Sequence, residues 1–265
     1  MIEARAHAKI NLALVVGPLR PDGKHEVATV LQKIELCDGI FVTPAAKLEI
    51  AGFPEDTLVR DALLALADAA GTEPNWSVQL EKQIPVASGL GGGSSNAAAA
   101  LRLANDTLAE PLPQDQLHEL AAGIGADVPF FLAEGPQLGT GDGTELESLD
   151  LPGDYSILLF LPAGAEKHST AAVYAAFVDA EGFGDRQAAL REALSAGDLA
   201  ALPPNDLATS PVAEELRELG AFRADVTGAG PVVYGLFGDE EQAGAARNAL
   251  APRGRTWLTA PRWYG

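Results

Sequence analysis

The chain reads as an α+β protein in two domains, and three observations predict this. The run Trp76-Ser-Val78-Gln-Leu80-Glu-Lys82 alternates apolar and polar. Alternation marks a strand with one face in the core and one in water, unlike the fully buried parallel strands of a doubly wound fold. That half-wet strand leads through a glycine-rich loop into an alanine-rich helix. Finally, 265 residues accommodate two ordinary domains, and Pro152-Gly153 break the chain within Asp150 to Asp154. The expected division is 1–150 and 151–265.

Element by element, Ala8 to Val16 predicts a strand with Ile10, Leu12, Leu14 and Val16 on one face and Lys9, Asn11, Ala13 and Val15 on the other. Pro18 to Gly23 is a turn. Val27 to Leu36 and Ile40 to Val42 read as two more strands, parted at Asp38-Gly39. Thr57 to Ala70 has helical spacing, with Leu58, Ala62, Leu66 and Ala69 as candidate core residues. The alanine-rich helix runs to about Leu108, and another from Gln114 to Ala122 stops at Gly123. A glycine-rich turn is expected at Gly139 to Gly143. Beyond the break, Ser156 to Leu161 and Val232 to Phe237 read as strands. Ala171 to Val178, Arg186 to Ala196, Val212 to Leu219 and Glu240 to Leu250 read as helices.

Composition excludes several classes. A net charge of −19 opposes a nucleic-acid partner, which needs a basic face. No apolar run approaches the ~18 residues that cross a bilayer, and the run Ile10 to Val16, behind Glu3, is too short for a signal peptide. Cys37 is the only cysteine, so an internal disulfide and a Cys-rich metal site are both ruled out. The expectation is a cytoplasmic protein with a small-molecule substrate and neither membrane nor nucleic acid as partner; monomer and homodimer both stay open.

The densest chemical signal is Gly89-Leu-Gly91-Gly92-Gly93-Ser94-Ser95-Asn96, followed by four alanines. So many glycines cost backbone entropy, which a plain turn does not require. They let an oxyanion approach the main chain, where the next helix offers unpaired N–H groups and its positive dipole end. A phosphate-binding loop is the functional reading; a tight loop with a Ser-capped helix is the plain one. No Gly-Lys-Ser/Thr follows, so this is not a Walker A loop, and any assisting cation must come from elsewhere.

Three segments fall in one order: Ala8-Lys9-Ile10-Asn11-Leu12, the Gly89–Asn96 loop, and Thr227-Gly228-Ala229-Gly230. With Arg20-Pro-Asp-Gly-Lys24-His25, Gly125-Ala-Asp127-Val-Pro-Phe130-Phe131 and Asn205-Asp206, this pattern resembles the GHMP small-molecule kinases over almost the whole chain. The resemblance implies an N-terminal, ribosomal-protein-S5-domain-2-like, ATP-binding domain whose mixed sheet has a left-handed crossover. A ferredoxin-like C-terminal domain would sit beside it, with the last strand able to pack back on the first domain. It implies ATP and Mg²⁺ as cofactors and a substrate in the cleft. Within the family the pattern is most similar to the branch that phosphorylates the 2-hydroxyl of 4-diphosphocytidyl-2-C-methyl-D-erythritol on the non-mevalonate route to isoprenoids. A kinase of another small alcohol, or a non-catalytic nucleotide-binding paralogue, is the alternative.

The resemblance also implies roles. Asp127, which by position reads equally as a helix N-cap, becomes the general base. Lys9, which could simply snorkel from a sheet edge, becomes the ammonium that holds Asp127 ionised. Gly89, Gly91, Gly92, Gly93, Ser94, Ser95 and Asn96 cradle the ATP phosphates, with Ser94 or Ser95 a possible Mg²⁺ ligand. Gly228 and Gly230 bring a second loop near. Asn11, Lys24, His25, Thr170 and Tyr174, together with Asp127, contact substrate. Two positions depart from the pattern: Lys24 stands where the family usually has a Tyr that stacks on cytosine, and Thr57 where it usually has Asn. Both bear on cytidine recognition rather than on phosphoryl transfer.

Overall fold

Two long antiparallel strands, β1 (Ile2–Leu19) and β2 (His25–Pro44), open the chain as one hairpin. In the computed structural model, which describes all residues except 54–56, 166–168, 179–180 and 263–265, β2 runs straight through Asp38-Gly39. Two strands were expected there. Asp38 stays in the sheet because it is satisfied: its fully buried carboxylate pairs with the Lys82 ammonium and accepts from the N–H groups of Gln83 at 2.7 Å and Ile84 at 2.9 Å.

The alternation expected for β1 holds only to Leu12. A register shift between Asn11 and Ala13 swaps the faces. Ala13 and Val15 therefore share the main core with Ile10 and Leu12, while Leu14 and Val16 join Val27 in a separate cluster.

The short strand β3 (Glu49–Ala51) precedes α1 (Thr57–Ala69) and the half-wet β4 (Trp76–Glu81). In α1 the buried stripe is Val59, Ala62, Leu63, Leu66 and Ala67. Ala69, expected inside, is exposed, and Leu58 is only half-buried, because the stripe is rotated by one residue. β4 buries Trp76, Val78 and Leu80 and exposes Gln79 and Glu81, in register with the alternation.

Helix α2 (Gly92–Asn105) ends three residues earlier than Leu108 and buries an unbroken run from Ser95 to Leu101. Its alanines let it lie close on β1 and α1, as small side chains permit. Then come α3 (Gln114–Ile124), the single turn α4 (Val128–Leu132), β5 (Gln137–Thr140) and β6 (Glu145–Ser148). The turn between these strands occupies 141–144, since Gly139 is claimed by the ladder opposite Thr29. The first sheet runs β3-β4-β2-β5-β6 with β1 also on β2; it is mixed because β3 and β4 are parallel.

The second half comprises β7 (Ser156–Pro162), α5 (Thr170–Ala176), α6 (Phe183–Ala196), α7 (Pro211–Glu218), β8 (Arg223–Val226), β9 (Val233–Phe237), α8 (Glu240–Leu250) and β10 (Gly254–Thr259). Its antiparallel sheet, ordered β10-β7-β9-β8, has the fourth-first-third-second order of a ferredoxin-like fold. Past β10 the chain returns to the first sheet. Glu35 N–H donates to the Ala260 carbonyl (3.0 Å), and Arg262 N–H to that of Lys33 (2.8 Å). One core cluster spans both sheets, taking Ile10 and Val30 from the first and Ile157 and Tyr234 from the second. Among the described residues no helix is long and apolar enough to cross a membrane.

Arg223 holds the second half to its connecting loop. Its buried guanidinium donates to the carbonyls of Leu202 (2.6 Å) and Pro203 (2.8 Å), and lies 3.8 Å from the buried Asp225 carboxylate. Arg223→Met is expected to destabilise the fold by about 3 kcal/mol, since it strands a buried charge. Urea denaturation measures this, and an unchanged midpoint would show that Asp225 needs no partner.

Candidate active site

A cleft of about 520 Å³ opens between the halves, with the glycine loop as one wall. Gly91, with φ of +69°, caps α2 by its backbone, and no side chain caps that end. The Ser-capped reading is thereby corrected. The first intrahelical bond joins Ser95 N–H to the Gly91 carbonyl at 2.9 Å, so the amides of Gly92, Gly93 and Ser94 have no partner within the helix. Gly89, Gly91, Gly92, Gly93 and Ser94 all line the cleft. A Cβ on Gly92 would lie 3.4 Å from the Lys82 Nζ, so an ammonium flanks these amides. Lys82 was not singled out from the sequence, because it reads there as the wet end of a strand.

Ser95 and Asn96 point elsewhere. The Ser95 hydroxyl donates to the His7 carbonyl at 2.6 Å, and Asn96 is fully buried. The helix turns about 100° per residue, which carries Ser95 from the cleft to β1 and Asn96 into the core. Their side chains are therefore withdrawn from the phosphate cradle, and Ser95 from Mg²⁺ ligation; Ser94 remains.

Lys9, 3% exposed, lies against the loop itself: its N–H donates to the Leu90 carbonyl at 3.0 Å, and a Cβ on Gly91 would meet its side chain at 3.0 Å. Its Nζ donates to Asn11 Oδ1 at 2.6 Å and lies 3.5 Å from Asp127 Oδ2. Asp127 occupies the N-cap position of α4, yet its carboxylate makes no capping bond and is 41% exposed to the cleft. The structure thus brings together an ammonium from β1 and a carboxylate more than a hundred residues later. Asn11 is fixed in turn, since its Nδ2 donates to Thr29 Oγ1 at 2.8 Å.

Thr227 ties the two glycine loops together. Its hydroxyl accepts from Asn11 N–H (3.1 Å) and donates to the Gly89 carbonyl (3.3 Å). Gly228 and Gly230, with φ of +57° and +77°, also line the cleft. Asn205, whose role was weakly marked in sequence, donates to the carbonyls of Val226 (2.8 Å) and Gly228 (2.7 Å) and so shapes that loop. Thr170 and Tyr174 reach the cleft from α5. Burial, reinforced by the nearby Asp127 charge, pushes the Tyr174 phenol pKa up.

His25 sits behind Tyr174, with ring centroids 6.1 Å apart, and meets Phe177 edge-on at 5.7 Å. Its Nδ1 donates to the Gly17 carbonyl at 2.8 Å, which fixes the proton on that nitrogen in the neutral ring. Phe177 went unremarked in the sequence as one apolar residue among many. Lys24 does not line the cleft directly; it pairs with Asp142, which does.

Burial works to raise the Asp142 pKa, but the Lys24 ammonium and the Thr144 hydroxyl (2.6 Å) outweigh it and hold the carboxyl down to about 2. The folded value lies below the ordinary 3.8, so the pair's stabilisation is complete above about pH 3.8 and lost as pH falls toward 2. Lys24 is half-exposed, so the pair contributes about 1 kcal/mol or less. Lys24→Met is expected to show that deficit in urea melts at pH 5 and a smaller one at pH 2.5; a deficit independent of pH would separate Asp142 from it.

Comparison with known proteins places this geometry. The family model for the GHMP kinases N terminal domain matches residues 57–135, and that for GHMP kinases C terminal matches 186–255. A "4-diphosphocytidyl-2-C-methyl-D-erythritol kinase" of Desulfitobacterium hafniense (strain Y51) is 38% identical, over 91% of this chain and 89% of its own length. The chain belongs to the GHMP kinases. Another relative of the same name, from Nocardia farcinica (strain IFM 10152), is 38% identical over 94% of this chain and 89% of its own. A crystal structure of 4-(cytidine 5'-diphospho)-2C-methyl-D-erythritol kinase superposes with a TM-score of 0.82 at 30% identity, covering 100% of both chains. The two-domain fold and kinase class expected from the sequence are those of this GHMP kinase.

Proposed function

We propose that the protein transfers the terminal phosphoryl group of ATP to the 2-hydroxyl of 4-diphosphocytidyl-2-C-methyl-D-erythritol, as a cytoplasmic step of isoprenoid precursor synthesis. The observation that carries this reading is the Lys9–Asp127 pair, 3.5 Å apart, which lines one cleft together with the glycine loop. Phosphoryl transfer asks a protein mainly for positioning and charge stabilisation.

In the proposed reaction the substrate hydroxyl oxygen bonds to the terminal phosphorus, the bond to the bridging oxygen breaks, and ADP departs. Asp127 accepts the hydroxyl proton. Lys9, 3.5 Å from Asp127, holds that carboxylate in position and offsets charge on the attacking oxygen. The amides of Gly92, Gly93 and Ser94 hold the phosphate oxygens, aided by the dipole of α2 and by Lys82.

Among the described residues no cluster of three or more His, Cys, Asp or Glu is present, so a metal caged wholly by protein is absent there. A Mg²⁺ ion fits nonetheless, because this ion keeps waters and nucleotide phosphates as most of its ligands and needs few from the chain. The Ser94 hydroxyl, in the cleft at the loop, is the residue that would hold it. Bound there, it would neutralise phosphate charge.

Purified protein supplied with ATP, Mg²⁺ and a panel of alcohols tests the reading. Turnover is expected with the cytidyl substrate. Turnover restricted to another small alcohol would overturn it in favour of a different acceptor, an outcome to which Lys24 in place of a stacking Tyr would then give the reason.

A further inference from the structure

A larger cavity, about 950 Å³, lies on the other side of β1 and α2 from the cleft. Its polar lining is basic: Arg5, His7, Lys33, Arg102 and His118, against one acid, Glu134. This is opposite to the molecule as a whole, whose 37 acidic residues outnumber 18 Lys and Arg.

Elsewhere most described lysines and arginines sit within ion-pair distance of a carboxylate, whereas Arg5, Lys33 and Arg102 make no ion pair among the described residues. Lys33 is 4% exposed and spends its ammonium on the carbonyls of Ala133 (2.6 Å) and Phe131 (3.3 Å). Burial, together with the Arg102 charge, lowers its pKa to about 8. Burial lowers that of His7 too, with Lys33 and Arg5 adding repulsion. Like charges gathered around a single carboxylate, Glu134, repel one another, and a bound anion relieves that.

The rest of the wall is mixed, with neutral polar residues such as Gln114, Gln137 and Ser148 beside an apolar side. Leu112, Leu117, Leu132 and Leu146 line it. The volume suits a small ligand rather than a chain segment. Arg5, His7, Lys33 and Arg102 feel one another's charge, and with leucines in the same wall they suit a ligand that joins a multiply charged phosphate head to a short hydrocarbon body.

We propose that this cavity is a second ligand site, separate from the catalytic cleft, for a short-chain alkyl diphosphate, with Arg5 and Arg102 as its principal recognition residues. Both are exposed, so their removal leaves the core intact. Nothing in this proposal depends on which alcohol the enzyme phosphorylates.

Calorimetric titration of the full chain with n-pentyl diphosphate at low salt tests it. Binding is expected, tighter than that of inorganic pyrophosphate. The Arg5→Ala/Arg102→Ala variant is expected to bind at least about tenfold more weakly. Arg60→Ala/Arg247→Ala removes the same charge from exposed positions outside the cavity and is expected to bind as the parent does. Three results would overturn the proposal: no binding at millimolar ligand, equal affinities in the two double variants, or no preference over pyrophosphate. Binding at the catalytic glycine loop alone would give the second result. Circular dichroism and thermal melts of each variant establish that it is folded before titration.

Discussion

Asp127→Asn is expected to lower turnover by about 10²–10⁴-fold, the usual contribution of a positioned general base, while ATP affinity stays within a few fold. The substitution keeps size and shape and removes only the ability to take a proton. The native carboxylate makes no capping bond to α4, so its loss costs the helix little. Its one described ion pair is with Lys9, at 3.5 Å. Asparagine leaves that buried ammonium with the Asn11 carbonyl at 2.6 Å, which is enough to keep it in place. Steady-state kinetics and nucleotide binding, measured side by side, separate the two effects. Unchanged turnover would remove Asp127 from the chemistry. A parallel collapse of ATP binding would recast it as part of the nucleotide site.

Gly89→Ala is expected to cost about 3–5 kcal/mol of stability, combining an unfavourable backbone conformation with overpacking, and to abolish activity. Gly89 has φ of +83°, a region that side chains with a Cβ rarely adopt. A Cβ there would meet the Thr227 carbonyl oxygen at 2.2 Å, and backbone cannot swing aside as a side chain can. The two glycine loops are also joined by Val232 N–H donating to the Ser88 carbonyl at 3.2 Å, so one loop cannot yield without the other. Thermal unfolding and turnover of the same preparation test this. A stable and active variant would show that the loops part more easily than their contacts imply. Gly23→Ala, with positive φ but nothing within 4 Å, is the control for backbone strain alone.

The glycine loop, the half-wet strand and the helices were legible because each is a local pattern. Periodicity reports which face of β4 is buried, and glycine clustering reports where the backbone must come close. What escaped was set by distant partners. Nothing near Asp38-Gly39 announces that Lys82, Gln83 and Ile84 will satisfy the aspartate inside a continuous strand. The swap of faces after Leu12 needs the register of β2.

In the cleft, Lys9 stood out as a cation in an apolar strand, and Asp127 through the family resemblance. Lys82, Asp142 and Phe177 carry no such mark, and their places follow from the packing of whole elements. Ser95 and Asn96 were grouped with the loop by adjacency in sequence; helix rotation then parted them from Ser94. The basic cavity on the far side was invisible because its basic residues come from β1, β2, α2 and α3, one or two at a time.

Thr227 binds the backbone of Asn11, and the Tyr234 hydroxyl donates to the Leu12 carbonyl at 3.1 Å. This has a consequence for biosynthesis. The wall that completes the surroundings of Lys9 is translated more than two hundred residues after it. Contacts so remote in sequence form slowly, and a nascent chain lacking the Thr227 loop has no finished cleft. Phosphoryl transfer is thereby withheld until the Thr227 loop and Tyr234 have left the exit tunnel.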